Sequence, residues 1–269
     1  MSEVHNLFRA GKLTEAIAEV TQMVKSQPSD VVARGLLSEL LCFTGDLDRA
    51  DKQLDAASQI SPSAAVGVGL LRHLIRSEIC RREVHSDGRV PEFIEPPTES
   101  QQLRLRAVMA AREKKFSEAA ELIQQASALE PDVAFEVNGS SVSGFRDLDD
   151  FLGPNFEVYT ATGKYYWIGV EQLRTLEFSE PECLTDQLWR AAEIQTTADL
   201  PGRVHVPVLY RDSHLAEDPR VRIGKATDWQ SSEGESVVFG YGQREFLAGD
   251  DVIPIMQIST LRRIDQPIV

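Results

Sequence analysis

The chain has few cysteines and no apolar run long enough to cross a membrane. Cys42, Cys80 and Cys183 are far apart and odd in number. This pattern excludes a disulfide framework and a zinc-binding spacing, and it is typical of reduced cysteines in a cytoplasmic protein. A spanning helix needs about 18 or more apolar residues in a row, and neither such a run nor a signal-peptide pattern is present. We therefore predict a cytoplasmic protein that does not insert into a membrane.

Basic residues are outnumbered by acidic ones, mostly in the second half of the chain. The net charge is −14 over 269 residues; residues 1–130 hold 16 Lys and Arg against 19 Asp and Glu, and residues 131–269 hold 12 against 23. Because phosphate binding requires positive charge, this balance argues against nucleic acid or an anionic membrane as a partner. The length allows two folded domains.

The sequence also lacks the common catalytic and metal-binding motifs. Its five histidines form no H-x-x-H or H-E-x-x-H pattern, and no serine lies in a G-x-S-x-G context. Gly240 and Gly242 are followed by Gly249-Asp250-Asp251, which favours a hairpin over a phosphate-binding loop. We predict no catalytic residue, no metal site and no cofactor.

What the first half does contain is a repeated motif. Gly11–Ala16 is followed by Pro28, Gly45–Ala50 by Pro62, and Lys114–Ala119 by Pro131, with twelve residues from alanine to proline each time. The first two prolines are 34 residues apart. This period, with a small residue where two helices cross and a proline ending the second helix, resembles the tetratricopeptide repeat. We predict a tetratricopeptide-like helical repeat domain over residues 1–131.

A longer helix is predicted over residues 64–83, followed by a proline-rich loop over 85–100 and helices over 99–113 and 116–129. The C-terminal part of the long helix carries Arg72, Arg76, Arg81 and Arg82. Cations are favourable at that end of a helix. These arginines therefore indicate either a solvated helix end or a contact for an acidic partner.

After Pro131 the apolar periodicity changes from about 3.6 to about two. Asn138-Gly139 and Thr162-Gly163 predict hairpin turns. Further strands are predicted at Leu173–Phe178, Val204–Tyr210, Val221–Ala226, Val237–Tyr241 and Val252–Leu261, and a short helix at Cys183–Ala192. The predicted fold class is α+β, with helical repeats followed over residues 132–269 by a small, acidic, β-rich domain, either a bent sheet or a partly open barrel.

Three aspartates crowd the segment after the first predicted hairpin: Asp147, Asp149 and Asp150. Clustered carboxylates can bind a hard cation or perform acid–base chemistry. The run lacks the glycine and the closing glutamate of a calcium loop, and capping and turn roles are the commoner use of aspartate. An enzyme with a site around Asp147–Asp150, Asp228 and Arg244 is an alternative function.

Several separated segments of the second half carry a family resemblance. They are Phe151–Val158, Gly163–Ile168, Asp186–Glu193, Pro207–Ser213, Arg222–Trp229 and Gly240–Leu247. In this order they are similar to the ImpE/TagJ family, also called SciE-type proteins, which are accessory components of bacterial type VI secretion systems. The resemblance implies a non-enzymatic cytoplasmic protein of the contractile sheath. It implies as partner the N-terminal helix of the small sheath subunit and, indirectly, the AAA+ ATPase that disassembles the sheath.

A helical-repeat array commonly offers a concave groove in which an amphipathic helix can lay its apolar face. By the repeat register, the positions facing this groove are His5, Phe8, Val32, Gly35, Glu39, Cys42, Arg104 and Val108. The alternative is that the same positions pack against the neighbouring hairpin. Since the register does not identify a partner, a repeat scaffold that binds an unrelated peptide is a further alternative function.

Overall fold

The structure, a computed structural model, describes residues 2–198, 201–232, 234 and 237–264; Met1 and residues 265–269, the ends of the two predicted domains, lie outside the described residues. The first part is helical. Its helices are α1 (Ser2–Arg9), α2 (Leu13–Ser26), α3 (Val31–Phe43), α4 (Leu47–Ile60), α5 (Ala65–Ser86), α6 (Glu99–Arg112) and α7 (Phe116–Ser127). The predicted helical repeats are confirmed, and α5 runs three residues further than predicted.

The repeated motif explains the turns and crossings of the helical hairpins. Ala16, Ala50 and Ala119 are fully buried, and Ser38 Oγ donates to the Ala50 carbonyl at 3.0 Å, which shows how closely α3 and α4 approach. Gly11 and Gly45 turn the chain before α2 and α4 with φ of 79° and 74°. Such left-handed backbone favours glycine because it has no Cβ.

The second part contains thirteen described strands. They are β1 (Ala134–Val137), β2 (Ser140–Ser143), β3 (Phe145–Asp147), β4 (Asn155–Thr160), β5 (Tyr165–Gly169), β6 (Leu173–Phe178), β7 (Trp189–Thr196), β8 (Pro201–Pro207), β9 (Thr227–Ser231), β10 (Val238–Gly242), β11 (Glu245–Ala248), β12 (Asp251–Pro254) and β13 (Thr260–Arg263). A short helix, α8 (Pro219–Arg222), precedes β9.

These strands form three antiparallel sheets. The large sheet has the order β2-β1-β13-β6-β7-β8-β4-β5, and smaller sheets have the orders β12-β11-β3 and β10-β9. Because β13 pairs with β1, the end of the described chain returns to the start of the strand-rich part. The described strands do not close into a barrel, and the predicted α+β class with a β-rich second part is confirmed.

The hairpin turns were predicted correctly and three other elements were not. One of the three is the single strand predicted at Val252–Leu261, which the 3-10 turn Ile255–Gln257 divides into β12 and β13. Asn138 and Gly139 take φ of 51° and 85° between β1 and β2, and Gly163 takes 84° between β4 and β5. The helix predicted at Cys183–Ala192 is wrong, since only Thr185–Gln187 forms a single 3-10 turn and β7 follows. The strand predicted at Val221–Ala226 is also wrong: Asp218 caps the backbone N–H of Arg220 and starts α8 there.

Helix α5 joins the two parts, and three of its four arginines contact other elements, whereas Arg76 is exposed. Arg81 is buried against Glu157 of β4, so the prediction of a solvated helix end is wrong for this residue. Arg72 pairs with Asp51 at 2.7 Å, and Arg82 donates to the Gly45 carbonyl at 3.1 Å. One hydrophobic cluster runs through both parts, and the domain division at residue 131 stays a prediction.

The described part of the chain contains no helix with the length and apolar character needed to cross a membrane.

The loop after α5 runs to the large sheet. Glu92 in this loop bridges to β5: its N–H donates to the Tyr165 carbonyl at 2.9 Å, and its carbonyl accepts from the Trp167 N–H at 3.1 Å. The predicted loop is thereby fixed to the strand-rich part.

Candidate functional site

An open groove of about 320 Å³ lies between the helical repeats and the strand-rich part. We call it the repeat groove. One wall consists of residues from α3, α4 and α5, and the facing wall consists of residues from the segment before β7 and from β8. The residues on the helical wall are Gly35, Glu39, Leu54, Gly67, Val68, Leu70, Leu71 and Leu74, and those on the facing wall are Cys183, Thr185, Asp186 and His205.

Glycines and leucines form the floor of the repeat groove. A Cβ added at Gly35 or Gly67 would meet no heavy atom within 4 Å. A glycine inside a helix lowers the stability of the folded protein by roughly 0.5–1 kcal/mol relative to alanine. At these two positions, packing within the chain does not require a glycine. Leu70 exposes 36% of its surface. The floor is therefore apolar and open, and a backbone could approach α3 and α5 closely over the glycines.

One end of the groove is acidic. Thr185 Oγ1 donates to Glu39 Oε1 at 2.9 Å across the groove. Burial raises the pKa of Glu39, and the nearby charge of Asp186 adds to the rise, whereas the Thr185 hydrogen bond and His5 oppose it. The two carboxylates therefore repel each other where the two walls meet.

His205 of β8 lies in the facing wall. It is 5% exposed, and its Nδ1 has no hydrogen-bond partner among the described residues. Burial, together with the charge of Arg203, lowers its pKa. The ring is therefore neutral near pH 7, and one of its nitrogens carries an unshared electron pair.

Four of the eight residues predicted for the groove reach the surface. They are His5, Val32, Gly35 and Glu39. Gly35 and Glu39 line the repeat groove together, and the charge of His5 acts on Glu39. Val32 exposes 65% of its surface but does not line this groove.

The other four predicted residues are buried within the protein. Phe8 packs edge to face on Phe43 with ring centroids 4.8 Å apart. Cys42 and Val108 belong to the hydrophobic core. Arg104 forms an ion pair with Glu130 and donates to the Asp150 carbonyl. These side chains pack within the protein as the alternative reading expected, so the candidate surface is restricted to the exposed four.

The repeat register does not indicate the α5 wall or the facing wall of the groove. It concerns the first helix of each predicted hairpin and gives no groove position on α5. One signal in the sequence is Gly67, a glycine inside an apolar helical pattern, where it costs about 1 kcal/mol relative to alanine. No comparable signal marks Thr185, Asp186 or His205, because they reach the groove only through the folding of the second part.

The three clustered aspartates organise the turn between β3 and β4. Asp147 accepts from the Tyr210 hydroxyl and Arg244 Nε, each at 2.9 Å, and Asp149 accepts from the backbone N–H of Phe151 at 2.9 Å. Burial raises the pKa of Asp149 to about 7. A perturbed carboxyl can mark an active site, but the oxygens of this one bind backbone amides.

Asp150 has a similar structural role, whereas Asp228 of the alternative enzyme site does not. Asp150 Oδ2 accepts from the Val238 N–H at 2.7 Å, which ties the turn to β10. Asp228 is exposed on β9. Within the ranges that the structure describes, no group of three or more His, Cys, Asp or Glu side chains is arranged to hold a metal ion.

Two family models match this chain. The model described as ImpE protein matches residues 139–262, which is most of the strand-rich part. A tetratricopeptide repeat model matches residues 7–73, from α1 into α5. The second match includes the helical wall of the repeat groove as far as Leu71.

A known protein and a solved structure resemble nearly the whole chain. The type VI secretion system accessory component TagJ of Pseudomonas aeruginosa is 30% identical over 226 residues, which are 84% of this chain and 80% of that protein. The crystal structure of protein VPA1032 from Vibrio parahaemolyticus has 27% sequence identity and a TM-score of 0.92, and the match covers 98% of each chain. The likeness therefore spans both the helical and the strand-rich part.

Proposed function

The chain belongs to the ImpE family of type VI secretion accessory proteins, and we propose that it acts there as a non-enzymatic cytoplasmic adaptor. In this proposal the repeat groove binds the N-terminal helix of the small sheath subunit. Through this contact the protein bears on sheath assembly and, indirectly, on the AAA+ ATPase that disassembles the sheath.

The observation that carries the proposal is the open glycine floor of the groove. Gly35 and Gly67 keep space free above α3 and α5, at a cost in helix stability that the fold itself does not require. A docked helix needs this free space, because small residues let two helix backbones approach closely. Leu70 and Leu71 beside the glycines offer apolar surface to the anchors of an amphipathic helix at i, i+3 or i+4, and i+7.

The adaptor role is supported by the way the acidic cluster is used. Asp147, Asp149 and Asp150 bind backbone amides, Tyr210 and Arg244. These are structural contacts that hold the β3–β4 turn against the rest of the strand-rich part. The P. aeruginosa relative is an accessory component of its secretion system, which agrees with a role in assembly.

The test is a binding measurement with a synthetic peptide of the N-terminal helix of the small sheath subunit from the same secretion cluster. We expect the intact protein to bind the peptide and Gly35→Leu to bind it at least tenfold more weakly, because the leucine fills the groove. Gly69→Leu is the matched control: a Cβ added at Gly69 also meets no heavy atom within 4 Å, but Gly69 does not line the groove, so affinity is expected to stay unchanged.

A pull-down from a strain that carries the secretion cluster complements the peptide experiment. Recovery of the small sheath subunit by the intact protein, and its loss with Gly35→Leu, is the expected result. No peptide binding together with recovery of an unrelated protein would contradict the proposal. That outcome would favour a repeat scaffold with a different ligand.

A further inference from the structure

We propose that the strand-rich part supplies a selective second wall of the repeat groove, and that this wall requires a lysine or arginine on the docked helix, held between Glu39 and Asp186. The inference rests on the proposed function and specifies the chemistry of the partner. It assigns to Thr185, Asp186 and His205 a role in binding that the helical repeats alone do not provide.

The facing wall lies close enough to α3 to contact whatever lies in the groove. Thr185 and Glu39 are 146 positions apart in sequence and are joined by the 2.9 Å hydrogen bond. The Asp186 carboxylate is fixed in place, because its Oδ2 accepts the backbone N–H groups of Glu182 at 2.9 Å and of Cys183 at 3.0 Å. A docked side chain therefore meets a preorganised anion.

The negative charge at this end of the groove is partly offset within the protein, since the charge of His5 acts on Glu39. Across the described residues, no lysine or arginine forms an ion pair with Glu39 or Asp186. Acidic residues of the neighbouring helix α4 contrast with this, since Asp51 and Asp55 both pair with Arg72. A cation on the partner would supply the missing charge.

The charges of Arg190 and Asp186 act on each other, but the Nε and Nη1 donors of Arg190 are already used. Its Nε donates to the Ser179 carbonyl at 2.9 Å, and its Nη1 donates to the carbonyls of Ile255 and Ile258 at 3.1 and 2.9 Å. It is therefore held on the sheet. His205 adds no positive charge near pH 7 because its pKa is lowered, so the wall does not repel an incoming cation.

The spacing along α3 tells where the cation must lie on the docked helix. Gly35 and Glu39 are four residues apart, on one face of the helix and about one turn, roughly 5.4 Å, apart along the axis. The apolar anchors of the partner lie over Gly35, Leu70 and Leu71, and its basic residue lies about one turn further toward Glu39. The occupant is thus an amphipathic helix with a lysine or arginine at the end of its apolar face.

The experiment compares Asp186→Asn with Glu182→Gln in the full-length protein, using the same sheath-subunit peptide. Asparagine keeps an oxygen that can accept the N–H groups of residues 182 and 183. Glu182→Gln removes the same charge from the same segment, but its side chain does not line the groove. We expect Asp186→Asn to weaken binding about threefold to tenfold and to reduce its salt dependence, since a partly buried ion pair is worth more than an exposed one. Glu182→Gln is expected to leave affinity unchanged.

A second arm replaces each lysine and arginine of the peptide in turn by glutamine. We expect one of these peptides to bind the intact protein more weakly than the unmodified peptide does. The same peptide should bind Asp186→Asn nearly as well as the unmodified peptide binds that variant. The residue replaced in it is then the one that contacts Asp186. If the peptide binds but neither Asp186→Asn nor Glu39→Gln changes its affinity, this inference is overturned and the proposed function stands. If the peptide does not bind the intact protein at all, both fall.

Discussion

Arg81 in helix α5 and Glu157 in strand β4 form a bidentate ion pair that joins the helical part to the sheet. Nε and Nη2 of the arginine lie 2.8 and 2.7 Å from the two carboxylate oxygens, and both side chains are buried. The Tyr165 hydroxyl donates to the same carboxylate at 2.5 Å. Helix α5 forms part of the helical wall of the repeat groove. This ion pair therefore fixes that part of the wall relative to the strand-rich part.

Replacing Glu157 by glutamine should strongly destabilise the protein. The variant leaves the buried Arg81 guanidinium with the Glu78 carboxylate at 3.7 Å as its remaining counter-charge, and breaking a buried pair in this way costs about 3–5 kcal/mol. Urea denaturation of the variant and the intact protein measures the difference. Glu83→Gln is the comparison, since Glu83 pairs with Arg89 at the surface and such pairs are worth about 0–1 kcal/mol. Equal losses in the two variants would contradict the structural role of Glu157.

Protonation of the same carboxylate should lower the free energy of unfolding in acid. Burial alone would raise the pKa of Glu157, but the positive charges of Arg81 and Arg244 hold it at about 2. Since this pKa is lower in the folded than in the unfolded protein, its contribution is present above about pH 4.5 and is lost as the pH falls toward 2. The measurement is the unfolding free energy of the intact protein and of Glu157→Gln across this range. The gap between them should narrow as the pH falls; a constant gap would contradict the prediction.

The sequence predicted local structure well where one short motif determines it. The alanine-to-proline spacing identified the helical hairpins, and Asn138-Gly139 identified the β1–β2 turn, because these signals act within a few residues. Arg81 could not be assigned to Glu157 in the same way, since the two are 76 residues apart and an arginine near a helix end is usually solvated. The facing wall of the groove was missed for the same reason.

Burial explains why half of the predicted groove residues pack inside. A repeat register identifies the face of a helix, but it does not show whether a neighbouring helix covers that face. Phe8 contacts Phe43 although its register position suggests the groove. Gly35 and Glu39 line the repeat groove, and their role in binding a partner stays a prediction.

Phe8→Ala should act through stability and not through binding alone. Removal of this buried ring from its contact with Phe43 is expected to cost about 3–5 kcal/mol, measured by thermal or urea denaturation. Leu70→Ala is the matched test of a groove residue: Leu70 is partly exposed, so we expect little loss of stability and weaker peptide binding. A fully stable Phe8→Ala protein that fails to bind the peptide would instead make Phe8 a direct contact.

Lys114 offers a stabilising substitution. It occupies the turn position that Gly11 and Gly45 hold in the other two hairpins, and it takes the left-handed φ of 62°. A residue with a Cβ pays about 1–2 kcal/mol in this conformation, while glycine loses more chain entropy on folding. Lys114→Gly should therefore raise the free energy of unfolding by about 0.5–1 kcal/mol. Lys114→Ala removes the same side chain but keeps the Cβ, so it should give no such gain.

Gly35→Ala should separate the stability of the fold from its capacity to bind. Alanine is favoured over glycine inside a helix by up to about 1 kcal/mol, and its methyl group would meet no heavy atom within 4 Å. We therefore expect the variant to unfold at a higher urea concentration and to bind the sheath-subunit peptide more weakly, because the methyl group narrows the groove. Gly69→Ala should give the same gain in stability and leave binding intact. If Gly35→Ala is instead less stable than the intact protein, the fold itself needs the glycine, and the open floor no longer argues for a docked helix.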